Sequence, residues 1–577
     1  MNRATRRIVV VGGVAAGASA ATKARRTDEA AEITIFERGP YVSFANCGLP
    51  YYVSGDIHAP DDLLLMTPRR FAERFRIQVE LEQEVTSIDR AGHRVEVQDL
   101  RTGNTRWVPY DRLILAPGGR PILPPISGIE QRGVFSLTTV PDAVELRAWA
   151  RSRRVREAVV VGAGFIGLEA VEALLKLGLE VHLVEKLPQV MPQMDPEMAT
   201  LLAGHLVERG ARLHLGAEVT RFAGKGRLEG VELSTGDVLP AQVAVVAIGV
   251  RPELTLAREA GLEIGASGGV AVDARMQTSD PDIYACGDVA EVSSRITGQR
   301  IRLPLAGPAN KEGRVAGANA AGGNMVFPGV VGTSIVKVCE LTAGKTGLSE
   351  REARIAGFDP LVSYTHPLDH AGYYPGARRM AMKLVADRES GRVLGAQIVG
   401  PQGVDKRIDV LATAIYGGMT VEDLEGLDLA YAPPYSSAKD PAIMAGFVVA
   451  NQWRGEVQAV TAAEVAGQME RMEPPRLVDV RTVEEYEAGH IPGAVSVPLE
   501  ELRDSLERVP RDGPVTVYCV VGYRSYHAYK ILEYHGYQVR NLSGGFTSWS
   551  QAYPERVEYG RREGGWEAGR IGTVKPR

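Results

Sequence analysis

Cysteine is scarce in this chain. The four present, Cys47, Cys286, Cys339 and Cys519, stand far apart with no CxxC or CxxH pair among them. That spacing excludes a disulfide framework and leaves little for a zinc site, so no metal is expected; it fits a reducing, cytoplasmic setting. An excess of positive charge is also lacking. The formal net charge of -5 argues against general nucleic-acid binding, which needs a basic surface. No uninterrupted apolar run reaches the roughly 18 residues of a membrane span, so no membrane partner is expected. Arg6-Arg7 followed by IVVVGGVAAGASAA has the basic start, apolar run and small residues of a signal peptide. It is read as mature protein, because cleavage there would delete a strand and glycine turn that the following residues require. What remains is an ordinary globular composition, 45% hydrophobic and 24% charged over 577 residues, long enough for roughly three or four domains.

Glycine is where the information begins. Ile8 to Val11 is a short β-branched run entering Gly12-Gly13-Val14-Ala15-Ala16-Gly17. A small-residue helix follows, then a strand from Ile33 to Phe36 that ends at Glu37. This is the strand, glycine turn, helix, strand, acid order of a dinucleotide site. Glycine lets the backbone close on a pyrophosphate at a helix N-terminus, where free N–H groups and the dipole favour an anion. Glu37 would accept hydrogen bonds from ribose hydroxyls, and Arg38 beside it is counted with the same site. A second copy runs from Ala158 to Val161 into Gly162-Ala163-Gly164-Phe165-Ile166-Gly167, and later from Val181 to Val184 ending at Glu185. First glycine and acid are 25 residues apart in one copy and 23 in the other. Val14 breaks the fingerprint in the first copy, whereas the second matches it fully. Two such units in one chain argue for two dinucleotides, flavin adenine dinucleotide (FAD) in the first and a nicotinamide in the second. Glu185 would repel a 2′-phosphate and so favours NADH over NADPH; Lys186 beside it weakens that preference.

Leu115-Ala116-Pro117-Gly118-Gly119-Arg120-Pro121 and Ala247-Ile248-Gly249-Val250-Arg251-Pro252 each end an apolar strand with a glycine turn. Such turns are expected where the chain passes between domains beside a cofactor, with Ala116 and Gly118 near the flavin and Gly249 near the nicotinamide. In Tyr284-Ala285-Cys286-Gly287-Asp288, the Gly287-Asp288 pair would place a carboxylate on the flavin ribityl hydroxyls, while Cys286 is read as packing. Lys23, Arg25 and Arg26 form a basic cluster on the first helix. Either it is a solvated face or Lys23 and Arg26 clamp the phosphates of a ligand.

The order of glycine turn, lone cysteine, A-P-G-G-R-P, G-A-G-F-I-G, A-I-G-V-R-P and Y-A-C-G-D resembles the two-dinucleotide-binding flavoproteins over residues 6 to about 450. Within them, Ser43-Phe44-Ala45-Asn46-Cys47-Gly48-Leu49-Pro50-Tyr51-Tyr52 is similar to the coenzyme A-disulfide reductase branch. Flavin disulfide reductases usually keep two redox cysteines close together. Here no second cysteine follows Cys47, so this sulfur must pair with one from outside, and the resemblance implies coenzyme A. It also points to Ser43 and Asn46 beside the pantetheine arm. A helix N-terminus after Gly48 is expected to help keep Cys47 ionised. Phe165 is expected to cover the flavin face until NADH enters.

From about 326 the resemblance implies an interface domain that completes a partner chain's active site in a homodimer. By spacing, the two tyrosines that family uses near the cysteine are Tyr373 and Tyr431, with Tyr374 and Tyr435 as alternatives. The pattern then restarts. Leu477 to Arg481, the run Glu484 to Ala494 with its Gly489-His490-Ile491-Pro492-Gly493, and Val515 to Tyr518 leading into Cys519-Val520-Val521-Gly522-Tyr523-Arg524-Ser525 resemble a rhodanese (sulfurtransferase) domain. Backbone N–H groups converging on Cys519 would stabilise a persulfide anion, and Arg524 would tie the loop and add positive charge. A protein phosphatase loop places one more residue between its Cys and Arg, a wider ring suited to phosphate.

The expected fold is α/β: two Rossmann-like FAD- and NAD(P)-binding domains, an α+β dimerisation domain and a C-terminal α/β rhodanese domain. The boundaries read 1–325 with the nicotinamide domain inserted at about 150–275, then 326–450, a linker at 451–460, 461–556, and a loose tail at 557–577. The expected activity is NAD(P)H-dependent reduction of coenzyme A disulfide, persulfide or polysulfide through Cys47, with sulfur collected at Cys519. The rivals are an NADH oxidase or peroxidase cycling through a sulfenic acid, and a non-catalytic redox sensor. The oxidases commonly carry a histidine in the first glycine turn, where this chain has Val14, Ala15 and Ala16.

Overall fold

The computed structural model describes residues 5–471 and 474–560; of the expected tail, 561–577 lie outside them. The chain divides into two compact units. The first runs up to Phe358 and takes in Leu394–Met419; the second comprises Asp359–Val393 and the chain from Thr420 onward. The stretch read as one interface domain, 326–450, therefore contributes to both.

Two parallel five-stranded sheets form the frame of the first unit. In one, β1 (Arg7–Val11) lies between β2 (Glu32–Glu37) and β4 (Arg112–Leu115), with β3 (Ile77–Leu81) outside β2 and the strand Ile283–Ala285 outside β4. Helix α1 (Ala15–Thr27) returns the chain from β1 to β2, the right-handed crossover that a parallel pair requires. The second sheet repeats the design. β5 (Glu157–Val161) feeds α3 (Phe165–Lys176) and then β6 (Glu180–Glu185), with β7 (Arg212–Leu215) outside β6 and β8 (Val243–Val246) on the far side of β5. β1 and β5 read RIVVV and EAVVV, and all but their first residues are buried. Strands covered on both faces carry continuous apolar runs of this kind. Between the sheets in sequence, α2 (Leu49–Ser54) follows directly on a one-turn 3₁₀ segment, Asn46–Gly48, that carries Cys47. Helix α4 (Ala306–Ala320) packs along α1.

Two structures make up the second unit. The antiparallel hairpin Pro360–Thr365 with Ala381–Asp387 is covered by the helix Pro441–Trp453. Beyond it, β9 (Arg476–Asp479), β10 (Val515–Tyr518) and β11 (Val539–Leu542) form the centre of a third parallel sheet, edged by Ala459–Val460 and Val495–Ser496. Of the expected linker at 451–460, the first residues continue the helix to Trp453 and Ala459–Val460 is already the edge strand. The Tyr364 N–H donates to Ser543 Oγ at 2.8 Å, and His366 Nε2 lies 2.7 Å from Ser548 Oγ, so the hairpin segment is bonded to the turn after β11 and to the helix Gly545–Ala552 that follows. Burial, helped by the Arg379 charge, pushes His366 down to about 4 and keeps it neutral. Among the described residues, no helix is long and apolar enough to cross a membrane.

Candidate functional site

The two glycine turns of the first unit are built alike, bond for bond. The Gly12 N–H donates to Phe36 O and the Gly162 N–H to Val184 O, each at 2.8 Å. Each acid then closes its own turn. Glu37 accepts from the Gly13 and Gly39 N–H groups at 2.8 Å each, and Glu185 from those of Ala163 at 2.7 Å and Leu187 at 2.9 Å. Sequence reading put Glu37 on ribose hydroxyls and had Glu185 repel a 2′-phosphate; what the structure shows is that each carboxylate braces its glycine turn. Burial raises the Glu37 pKa against those bonds. Gly12 has φ +89°, and a Cβ there would run into the Ala116 carbonyl, so only glycine fits.

One cavity of about 2270 Å³ lies in this unit. It is lined by Gly12, Glu37, Arg38, Ser43, Asn46, Cys47, Ala116, Gly118, Gly287 and Asp288 from the region read as flavin- and coenzyme A-binding. Gly162, Gly164, Phe165, Glu185 and Gly249 line it from the nicotinamide unit. Gly17 and Gly167 do not line it. A side chain on either would strike the carbonyl of the first glycine in its own turn, so they permit the close packing of helix on turn. Lys23 and Arg26 are also absent from the lining. Arg26 bonds back to Thr22, through Nε to its carbonyl at 3.0 Å and Nη2 to its Oγ1 at 3.3 Å. Thr22 itself lines the cavity. Arg25, the third member of the basic cluster, is buried on the carbonyls of Phe75, Arg76 and Glu29.

The two turns read as domain-crossing loops pair with each other. Gly119–Pro121 and Val250–Pro252 form a two-stranded antiparallel ribbon, and Arg120 is ion-paired with Glu253. Asp288 is held above the ordinary carboxylate range by burial, opposed by Arg302. The N–H of Gly287 is held by Glu312 Oε2 at 2.7 Å, and burial pushes Glu312 up to about 7. Sequence reading missed Glu312; its signal is an isolated acid in a helix otherwise rich in Ala and Gly.

Cys47 opens on the cavity, yet its electrostatic setting differs from expectation. Its pKa is raised, by burial first and then by the charges of Glu169 and Asp288. Six-residue α2 is too short to outweigh them, which corrects the expected ionising effect of its N-terminus. Glu169 lies in the first turns of α3 and lines the same cavity. It accepts from Tyr51 Oη at 3.4 Å, and burial lifts it to about 7. Tyr51 follows Cys47 by one helical turn. Glu169 escaped the sequence reading, which named Tyr51 only as part of the motif around Cys47; an acid among Ile166, Leu168 and Val171 was the available clue. Ser43 has φ +50°, a left-handed backbone held at the cavity wall by its N–H bond to Gly13 O at 2.9 Å.

In the second unit, Tyr373 Oη and Tyr431 Oη lie 2.9 Å apart, on exposed side chains. Ala371 N–H joins their two segments by bonding Ser436 O at 3.0 Å. Of the alternatives, Tyr374 packs edge-on against His370.

Cys519 directly follows β10 and is 1% exposed. Its Sγ receives the Gly522 N–H at 3.2 Å and Ser525 Oγ at 3.6 Å. The Phe546 N–H donates to Cys519 O at 2.7 Å, fixing the loop from behind. Helix α5 (Tyr523–Tyr534) begins inside this loop. Arg524 ties the loop, but to Glu485: Nη2 lies 2.9 and 2.7 Å from its two carboxylate oxygens. The expected added positive charge is therefore matched by a carboxylate.

Comparison with known proteins agrees with this geometry. Residues 6–313 match the pyridine nucleotide-disulphide oxidoreductase family, 333–443 the dimerisation domain of that family, and 461–552 the rhodanese-like domain. An NAD(P)H coenzyme A polysulfide/persulfide reductase of Pyrococcus horikoshii is 35% identical over 439 residues, covering 76% of this chain and 97% of its own. A coenzyme A disulfide reductase of Staphylococcus haemolyticus is 34% identical over 444 residues, covering 77% and 99%. The crystal structure of reduced Bacillus anthracis CoADR-RHD superposes with a TM-score of 0.94 at 42% identity, covering 97% of this chain and 100% of that one.

Proposed function

The chain belongs to the pyridine nucleotide-disulphide oxidoreductase family, and from there we propose that it reduces coenzyme A disulfide, persulfide or polysulfide at Cys47 with NAD(P)H, and takes up sulfane sulfur at Cys519. The observation that carries this reading is the single cavity shared by both glycine turns, Asp288 and Cys47. The lining suits two dinucleotides: Gly118 and Gly164 present faces with nothing within 4 Å, room for a cofactor to approach the backbone. FAD and NAD(P)H, when bound there, supply the hydride and electron-pair chemistry.

The chain's own residues do the rest. Cys47, as thiolate, attacks one sulfur of coenzyme A disulfide and forms a mixed disulfide, and the other half leaves as a thiolate that needs a proton. Tyr373 and Tyr431 supply that proton, and their shared hydrogen bond supports the assignment. Ser43 and Asn46 flank the pantetheine arm at the cavity wall, and Lys23, next to Thr22, and Arg26, one turn beyond it, meet its phosphates. The match to a dimerisation domain supports a homodimer whose subunits exchange the two tyrosines. Four free cysteines suit a cytoplasmic setting.

The intact mass of the purified protein, before and after a thiol reductant, tests this directly. A loss equal to one coenzyme A per chain supports the reading, and so does NADH turnover with coenzyme A disulfide that exceeds turnover with peroxide or oxygen. Faster turnover with peroxide would replace it by the peroxidase.

A further inference from the structure

The sulfur loop of the second unit reads Cys519-Val520-Val521-Gly522-Tyr523-Arg524-Ser525, and Arg524 is its one cation. That cation is already matched, with Nη2 on both oxygens of Glu485 at 2.9 and 2.7 Å. Uncharged donors, the Gly522 N–H and Ser525 Oγ, meet the sulfur itself. Val520 and Val521, both half-buried, add no charge. Arg481, which lies over the Phe546 ring behind the loop, is buried and spent on Asp479 at 2.6 Å and on the Gly489 carbonyl.

We propose that this loop selects a sulfane-sulfur donor that departs as a thiol, an organic persulfide or polysulfide, and discriminates against the dianion thiosulfate, with Glu485 setting the choice by holding Arg524. The inference rests on Cys519 being the sulfur acceptor and narrows what that site accepts. In the step, a bond forms between the Cys519 sulfur and the outer sulfur of the donor, and the donor's S–S bond breaks. The Cys519 thiol proton leaves with the departing sulfur: Cys519–SH and RS–S⁻ give Cys519–S–S⁻ and RSH. Atoms and charge balance, with no added oxidant or reductant. Thiosulfate would make the same exchange and release sulfite, but it brings two negative charges to a loop whose cation is neutralised. A partly buried charge without a partner is costly.

Glu485 also caps its own helix, accepting from the Thr482 N–H at 3.0 Å while its N–H reaches Thr482 Oγ1 at 3.3 Å. Glutamine can accept the same cap bond, so Glu485→Gln removes the charge and keeps the turn. The experiment measures cyanide-dependent thiocyanate formation by the full chain, with glutathione persulfide or thiosulfate as donor and Cys519→Ser as blank. In the wild type, kcat/KM for the persulfide should exceed that for thiosulfate by about a hundredfold, and Glu485→Gln should narrow the gap about tenfold by raising the thiosulfate rate. If Glu485→Gln loses its circular dichroism signal, Val520→Lys places a cation in the loop without touching the cap, and the same narrowing is expected. Equal use of both donors by the wild type would overturn the proposal. So would a ratio unchanged in the folded variants. Transfer from neither donor would sink the assignment of Cys519, and this inference with it.

Discussion

Tyr373 and Tyr431 come from segments 58 residues apart, and their phenol oxygens share a hydrogen bond of 2.9 Å although the side chains are 75% and 48% exposed. Two exposed phenols have no packing reason to meet there. That bond raises the Tyr373 pKa, and a phenol is already protonated at neutral pH, so the pair holds a proton to give. Changing either residue to phenylalanine is expected to lower the rate of coenzyme A disulfide reduction by about a hundredfold, the lower end of the usual range for a positioned acid. The double variant should lose little more than the worse single one, because the pair acts as one unit. The thermal midpoint should barely move. Steady-state NADH oxidation with coenzyme A disulfide decides it; three variants with wild-type rates would leave the pair a surface contact.

Glu169 is the neighbour that most strongly opposes ionisation of Cys47 after burial itself. Its carboxyl titrates at about 7, so above neutrality it carries the charge that holds the thiol protonated. Removing that charge by Glu169→Gln should lower the Cys47 pKa. At pH 7.5 the free enzyme should then alkylate faster with iodoacetamide at Cys47, and the pH midpoint of alkylation should shift downward. Glu73→Gln, on an exposed helix bonded only to Arg69, should leave the midpoint unchanged. An upward shift in Glu169→Gln would reverse the sign argued here.

The repeated framework was legible from residues alone, since Val-rich strands, glycine turns and terminal acids are local patterns that burial on both faces enforces. Both Rossmann-like sheets and the third parallel sheet follow from such runs, and strand β10, Val515–Tyr518, coincides with its sequence reading. Long-range pairings were not legible. Nothing local says that Gly119–Pro121 would lie beside Val250–Pro252, or that Glu169 would approach Cys47. The same limit explains Arg524: its motif fixes it in the sulfur loop, but the carboxylate that neutralises it stands 39 residues earlier. Glu37 and Glu185 show the opposite case. Each ends its strand as the sequence suggests, and only the structure reveals the bonds that brace each turn.

Division of labour between the two sulfurs predicts a split phenotype. Cys519→Ser should leave coenzyme A disulfide reduction at the wild-type rate, because that reaction uses the cavity of the first unit and the Tyr373–Tyr431 pair, not the sulfur loop. Sulfide release from polysulfide should slow. Serine is nearly isosteric, and the Gly522 and Ser525 donors can meet its hydroxyl, so the third sheet should keep its thermal midpoint. The two rates, measured on one preparation, provide the check. Equal slowing of both would mean that sulfur does not pass through Cys519 on a separate route.

The last prediction concerns Cys47 itself. Serine there keeps the size of the side chain but cannot form a disulfide with coenzyme A. Turnover of coenzyme A disulfide should fall to background, while NADH still bleaches the flavin absorbance, because the glycine turns, Phe165 and Asp288 that receive the two dinucleotides are untouched. The intact mass should no longer fall on treatment with thiol reductant, because no adduct forms. A variant that fails to bleach would have lost its cofactor site rather than its redox sulfur. Normal turnover in Cys47→Ser would transfer the chemistry to another group and leave Cys47 a bystander.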